Sequence, residues 1–413
     1  MRFNPTFITL HKQVSKMKKR NYFKIALYVI LAIVVIGFFG NTLRKGMSDF
    51  KVVHRAATRV LHGENLYNLE DGHFLYKYSP FFAMLIAPLG FLSLSYARVL
   101  WLLGMCVSLF FICKVAKRLV VGDKSPPPYF YFLSLLFVSK FLSREIHLGQ
   151  TDWVVLFFIF ACLSLTQRGK ELWAGTFLAL SFLVKLPSLI FVPYFLYKKR
   201  FKLVASAICM GLIFLMLPSV IYGFFGNIAL LWGWKKIMSI SSPPLLTVDT
   251  NQSIFAFFYR FLTPTPWNVN IASLSPAVVN AAISTTILGL FLLLLFLSKR
   301  SRAIEHPFVH NKESIEYSLL LIFMVLFSPL GWYQNYSSAI LAIVILVYYV
   351  LESKLKDKFI LTMLILFFIL VDAISFETVG RKLSDQLLFL SCITWGIFIL
   401  IACLSKLRLS KIA

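Results

Sequence analysis

The stretch LWAGTFLALSFLVKLPSLIFVPYFLY, residues 172–197, decides the fold class. It is long enough to cross a bilayer, which takes roughly 20 mostly apolar residues. It ends on the basic run Lys198, Lys199 and Arg200. One cation, Lys185, interrupts it near the middle, two residues before Pro187. A charge at that depth costs roughly 2.5–3.5 kcal/mol on insertion scales, so something must compensate it. Two readings stand: a cation facing an internal cavity and suited to a phosphate, or a lysine snorkelling to the nearer interface with help from the bend at Pro187.

Runs of the same kind recur at about 22–40, 79–95, 98–121, 129–143, 146–167, 203–225, 276–298, 317–332, 338–351, 358–375 and 386–405. With the first, they predict an all-α polytopic transmembrane bundle of about twelve spans. No repeat, low-complexity stretch or soluble domain interrupts the chain, so residues 1–413 read as one integral membrane domain. Apolar residues make up 59% of the chain and the mean hydropathy is +0.79, which excludes a soluble protein with a polar surface to hydrate. The 42 Lys and Arg against 17 Asp and Glu give a net charge of +25. In a soluble chain that imbalance suggests nucleic acid; here the cations crowd between apolar runs and suit an anionic lipid leaflet instead. No nucleic-acid partner is expected.

The positive-inside rule then sets orientation. The basic N-terminal tail, Lys198–Lys202, Lys299–Arg302, Lys354–Lys358 and Lys406–Lys411 share one side of a twelve-span bundle. That side reads as the cytoplasm of a multi-pass protein of the cell (inner) membrane with both termini inside. The stretch Lys114–Lys124 falls on the wrong side, so the third to fifth spans are expected to include a broken or re-entrant segment. The six cysteines lie inside or at the ends of apolar runs and suggest neither disulfides nor a metal site. The first apolar run carries no small-residue cleavage site after Gly40 and reads as an uncleaved span.

Two hydrophilic segments remain outside, residues 41–78 and 226–275, and chemistry is expected there. Within the first, Ser48 to Leu61 places Phe50, Val53, Ala57, Val60 and Leu61 on one face, the pattern of an amphipathic helix lying on the membrane. Ser48 is placed to cap it, Asp49 sits in its first turn and Gly63 closes it. An acid in a first turn favours the helix dipole by about 0.3–1 kcal/mol and needs no other purpose. The residues downstream give the acid another reading: Gly63-Glu64-Asn65-Leu66-Tyr67, then Tyr76-Lys77-Tyr78-Ser79-Pro80, then Pro88-Leu89.

With these motifs the chain resembles glycosyltransferase family 87, the polyprenyl-phosphate-sugar-dependent GT-C transferases, mannosyltransferases among them. Further matches are Gly149-Gln150, Ala174-Gly175 to Lys185-Leu186-Pro187, Asn251-Gln252-Ser253, and Ser328-Pro329 to Trp332. The resemblance runs from about residue 45 to 340. It implies a GT-C bundle with the first-loop helices over an outward cavity. It also implies a polyprenyl-phosphate sugar as donor, a glycolipid or glycan acceptor, and Asp49 as general base. Relatives often carry a His after the Trp of the last motif; here Gln334 and Asn335 stand there.

The chemistry explains the residue types. An acceptor hydroxyl must lose its proton as it attacks the anomeric carbon, so a carboxylate must reach it. The leaving lipid phosphate gains charge, which nearby cations stabilise; Lys185, Arg260 and Arg55 are the candidates. Tyr67, Tyr78, Gln150, Asn251, Gln252, Trp332 and Gln334 are the candidates for sugar and acceptor. Several have plainer readings: an ordinary turn at Gln150 to Asp152, a capped helix at Asn251 to Arg260, an interfacial aromatic belt at Trp332. No metal or other cofactor is expected, since the outer loops offer no convincing acidic pair. A lipid-linked-oligosaccharide flippase and a polysaccharide polymerase are the alternatives. Inverted repeats would mark the first and Arg-rich outer loops the second, and the sequence is short of both.

Overall fold

The structure, a computed structural model, describes residues 37–44, 46–265, 269–301 and 309–410. Residues 37–44 are helical and belong to a first unit that ends at Met47; a second unit begins at Ser48 and holds the helices that position the site. The basic N-terminal tail and most of the run at 22–40 lie outside the described residues. Those helices are, in chain order, α1 (Ser48–Leu61), α2 (Pro80–Leu85), α3 (Leu94–Val120), α4 (Ser139–Leu148), α5 (Asp152–Gln167), α6 (Glu171–Val184), α7 (Phe201–Met216) and α8 (Ser219–Ser241). They continue with α9 (Ile254–Leu262), α10 (Pro276–Ser301), α11 (Ser314–Leu326), α12 (Ile340–Glu352) and α13 (Cys392–Leu409). The described residues form no sheet, and one antiparallel bridge joins Asn251 to Trp332.

Four segments are each long and apolar enough to cross a bilayer: α3, Pro276–Lys299 of α10, Tyr333–Glu352 and α13. The number rises to six if each of two bent pairs is one span. The twelve apolar runs therefore do not become twelve straight spans among the described residues, because an apolar run reports length and not continuity. Residues 79–95 contain Pro80 and Pro88 and fold as the short α2 followed by a 3-10 turn at Ala87–Phe91. Residues 172–197 divide at Lys185. α4 and α5 meet at 120° across Gly149, a broken pair in the region where the misplaced Lys114–Lys124 charges pointed to one.

α11 is buried along its whole length, as a helix apolar on every side must be. Its one acid, Glu316, is matched inside the bundle. The carboxylate accepts from Tyr194 Oη at 2.6 Å and Ser298 Oγ at 3.1 Å, and lies 2.6 Å from Lys198 Nζ and 3.5 Å from Arg408 Nη2. That cluster ties four helical segments together at the end where the Lys198–Arg200 run leaves the bundle. α6 and α7 approach so closely that a Cβ on Gly175 would stand 2.3 Å from the Leu203 carbonyl oxygen. Small residues at such crossings let helix backbones touch.

α1 forms over the expected residues, and its buried face is Phe50, Val53, Ala56, Ala57 and Val60. That face rests on protein rather than only on lipid. The Phe50 ring stacks on Trp101 at 4.9 Å, and the Ala57 backbone runs so close to Gly90 that a Cβ there would come within 2.8 Å. Ser48 is the first residue of the helix, and its hydroxyl donates to Asp49 Oδ1 at 3.1 Å. Gly63 does close the helix, in the left-handed region at φ 65°. The segment 226–275, expected as a second outer loop, opens as helix, since α8 runs on to Ser241 before the chain becomes irregular.

Candidate active site

Two breaks in helical structure build the site. At the first, Pro187 has no N–H to give to the carbonyl four residues earlier, so α6 ends and Lys185 adopts an extended conformation. The orphaned carbonyl is that of Leu183, and the Ser79 hydroxyl supplies the missing donor at 2.5 Å. Ser79 also caps α2 by accepting from Phe82 N, so one serine fixes the entry of the first-loop segment to the break in α6. Lys185 is thereby turned inward, where its Nζ lies 2.5 Å from Asp152 Oδ2.

At the second break, α4 ends on Gly149, which takes the left-handed conformation (φ 65°, ψ 40°) typical of a helix C-terminus. Gln150 N donates back to Glu145 O at 3.1 Å, and Trp101 Nε1 donates to Gly149 O at 3.1 Å. The chain then turns into α5 at Asp152, whose carboxylate sits in the first turn, where the helix dipole favours it. The elbow points two neighbouring functional groups into one space. Gln150 Nε2 donates to Asp49 Oδ2, and Asp152 pairs with Lys185.

These groups line a cavity of about 810 Å³. Of the residues expected from the sequence, Asp49, Lys185, Tyr78, Gln150, Trp332 and Gln334 face it. The other five serve its walls. Arg55 donates to Phe74 O at 2.5 Å and lies 3.2 Å from Asp71, which Arg59 also grips through both guanidinium arms at 2.6 and 2.8 Å. Tyr67 donates its hydroxyl to Tyr78 O at 2.7 Å. Arg260 is fully buried behind the wall, donating to Val248 O at 2.9 Å and to Ser391 Oγ at 2.7 Å, so it neither snorkels nor faces the cavity. Its two terminal nitrogens are met by carbonyl and hydroxyl oxygens, while its buried Nε has no protein partner.

Asn251 and Gln252 are likewise structural in position. Asn251 Nδ2 donates to Leu246 O at 3.0 Å and Pro329 O at 2.9 Å, while its Oδ1 accepts from Gly331 N at 3.0 Å. Gln252 Nε2 donates to Asp249 O at 2.6 Å and Leu388 O at 2.8 Å, and its Oε1 accepts from Thr394. Ser253 caps α9, the plainer reading of this motif. Together these residues fasten the second loop segment to the strip from Ser328 to Tyr336, which carries Trp332 and Gln334 into the cavity.

Several lining residues escaped the sequence reading. Lys77 and Arg144 add two cations, and Trp234, Asp249 and Asn335 are among the further polar and aromatic lining residues. Asn335 Oδ1 is buried with no protein partner. Lys77 stands between Tyr76 and Tyr78, inside one of the family's own motifs, so the signal for it was local. Arg144 and Trp234 are legible only once α4 and α8 are folded against the first loop; Trp234 Nε1 donates to Lys77 O at 2.9 Å.

Charge sets what the cavity can do. Burial raises the Asp49 carboxyl above its usual range, against the Ser48 hydroxyl, Lys185 and Arg144, which favour the anion; Asp152 adds to the rise. Burial also holds the Lys77 ammonium below its ordinary value, with Asp49 pulling the other way. The Tyr78 phenol is pushed up to about 12 by burial and stays protonated at neutral pH. The arrangement sets the half-buried Asp49 carboxylate in one space with Lys77, Arg144 and Lys185, a space large enough for a sugar.

Compared with known families, residues 76–329 match glycosyltransferase family 87. That interval contains Tyr78, Gln150, Lys185, Asn251, Gln252 and Arg260; it begins after Asp49 and ends before Trp332 and Gln334. No curated protein matches. Among solved structures, the chain is similar to ArnT from Cupriavidus metallidurans in the apo state, with 14% identity over 93% of this chain and 78% of that one and a TM-score of 0.40. A likeness at that level is weak, and the fold and the cavity stand without it. The family match covers well over half of the chain, and it meets helices long and apolar enough for a bilayer: the protein belongs to glycosyltransferase family 87 and is an integral membrane glycosyltransferase.

Proposed function

We propose that this enzyme is an inverting, metal-independent transferase of the GT-C type. It moves a sugar, mannose or another hexose or pentose, from a polyprenyl phosphate to a hydroxyl of a glycolipid or glycan on the outer face of the cell (inner) membrane. Its cytoplasmic side carries the basic runs and both termini. The observation that supports this reading is the meeting of Asp49 with Lys77, Arg144 and Lys185 in one cavity. Asp49 takes the proton of the acceptor hydroxyl as that oxygen attacks the anomeric carbon. The bond from that carbon to the phosphate oxygen breaks, and the cations stabilise the departing lipid phosphate. A single displacement from the face opposite the leaving group inverts the anomeric centre.

Metal independence follows from the same charges. Three cations face the space the phosphate needs, while two of the lining carboxylates are engaged by side chains, Asp49 by Ser48 and Gln150 and Asp152 by Lys185, and the third, Asp249, accepts from the Thr250 N–H. Tyr78, Trp332, Gln334 and Asn335 are the groups placed to meet sugar hydroxyls and a sugar face. The test is to incubate the protein, purified and returned to lipid, with a panel of polyprenyl-phosphate sugars and a lipid extract, and to identify products by mass spectrometry. One sugar lipid is expected to be consumed with inversion, with EDTA present or absent. Loss of transfer on chelation contradicts the metal-free reading, and labelling of position 49 from the cytoplasm contradicts the outward site.

A further inference from the structure

Asp49 and Gln150 lie far apart in sequence and on different helical elements, yet two linkages fix them against each other. Directly, Gln150 Nε2 donates to Asp49 Oδ2. Indirectly, one side chain holds the neighbours of both: Trp101 stacks on Phe50, next to Asp49, and donates its indole N–H to the carbonyl of Gly149, next to Gln150. The Gln150 backbone is clamped as well, by its N–H to Glu145 O at 3.1 Å and by the left-handed turn at Gly149. Gln150 is 5% exposed. A side chain so confined has little freedom to follow a mobile substrate.

We infer that Gln150 is the positioning residue of the base: its amide N–H holds Oδ2 of Asp49 and leaves Oδ1, met only by the Ser48 hydroxyl, as the oxygen that receives the acceptor's proton. The inference rests on Asp49 being the base of the proposed reaction. It moves Gln150 from contacting sugar to acting through the carboxylate. The elbow is suited to this task because α4 and α5 are anchored independently. α5 packs on α3, the helix that carries Trp101, so Asp49 and Gln150 share one support. Misplacing a reacting group by about 1 Å costs on the order of 100-fold in rate.

The groups facing Asp49 come from every element around it: Lys77 and Tyr78 from the first loop, Arg144 and Glu145 from α4, Asp152 from α5 and Lys185 from the break after α6. All of them remain in a Gln150 variant, so a change in pH profile reports the lost amide. An N–H donated to a carboxylate favours its ionised form. Removing it moves the acid limb of the profile to higher pH, and replacing it with a second carboxylate moves the limb further.

The experiment compares kcat and donor KM across pH for the full-length enzyme in lipid, with Gln150→Leu, Gln150→Glu and Asp49→Asn, each checked by thermal unfolding. For Gln150→Leu we expect kcat at neutral pH to fall by about 100-fold, donor KM to hold, and the acid limb to rise. Gln150→Glu, which preserves shape, should raise the limb more and carries the test if the leucine variant does not fold. A rise in KM with the acid limb unmoved overturns the inference and returns Gln150 to substrate contact. An inactive Asp49→Asn beside an unmoved Gln150→Leu profile sinks the positioning role alone, whereas an active Asp49→Asn overturns the base assignment and this inference together.

Discussion

Lys185 Nζ lies 2.5 Å from Oδ2 of Asp152, and the two side chains are 21% and 6% exposed. The pair answers the question posed by a cation in the middle of an apolar run. The charge does not stand alone; it is compensated within the cavity by an acid from the neighbouring helix. Removing one partner of a buried pair leaves the other uncompensated, at a cost of about 3–5 kcal/mol when both are fully dry.

Lys185→Met should therefore destabilise the protein by less than that full range, because Lys185 keeps some access to the cavity. Adding Asp152→Asn to the methionine variant should restore part of the loss, since no charge is then stranded. Thermal unfolding in detergent compares the two; a double variant no more stable than the single one contradicts the pairing. Titration with a short-chain lipid phosphate should show weaker binding for both.

Asp49→Asn should keep the fold and donor binding while turnover drops at least about 100-fold, the lower end for loss of a general base. The wild-type pH profile carries a second expectation. The base works ionised, and burial raises its pKa, so activity should appear only as pH climbs past a point above the ordinary aspartate value of 3.8. An acid limb at or below that value would remove Asp49 from the role.

Asn251→Ala should act on stability rather than on sugar recognition. It strips donors from Leu246 O and Pro329 O and leaves the Gly331 N–H without its acceptor. Each buried polar group left unmet costs about 1–3 kcal/mol. Thermal unfolding should show the loss directly. Unchanged stability with a raised acceptor KM would instead place this amide in the binding site.

Glu316→Ala should be among the most damaging substitutions far from the cavity. It leaves Lys198 and Arg408 without their shared carboxylate and the Tyr194 hydroxyl without its acceptor. The expected loss is about 3–5 kcal/mol, the scale for a broken buried pair. Glu316→Gln should lose less, because its amide oxygen still accepts from Tyr194 and Ser298. Equal unfolding temperatures for the two variants would show that the lost charge accounts for the whole effect and would contradict a contribution from the Tyr194 and Ser298 hydrogen bonds.

By itself the sequence determined the solvent of this protein, the helical class, the α1 amphipathic helix and the acid at its start. Those are properties of composition and local periodicity, which need no partner. Proline also announced one break, because what it forbids is local: Pro187 cannot donate. The number of straight spans was not legible, since a run of apolar residues does not say where the chain bends.

Only the tertiary structure decided which polar groups meet. Lys185 and Asp152, like Asp49 and Gln150, are paired by helix packing, and nothing in either local stretch names the partner. The same holds for Arg260, Asn251 and Gln252: their types suit ligand recognition, yet folding turns them toward carbonyls that helix ends and loops leave unsatisfied. Residue type fixes what a side chain is able to bind, and the packing of the helices fixes whether a protein group reaches it before a substrate does.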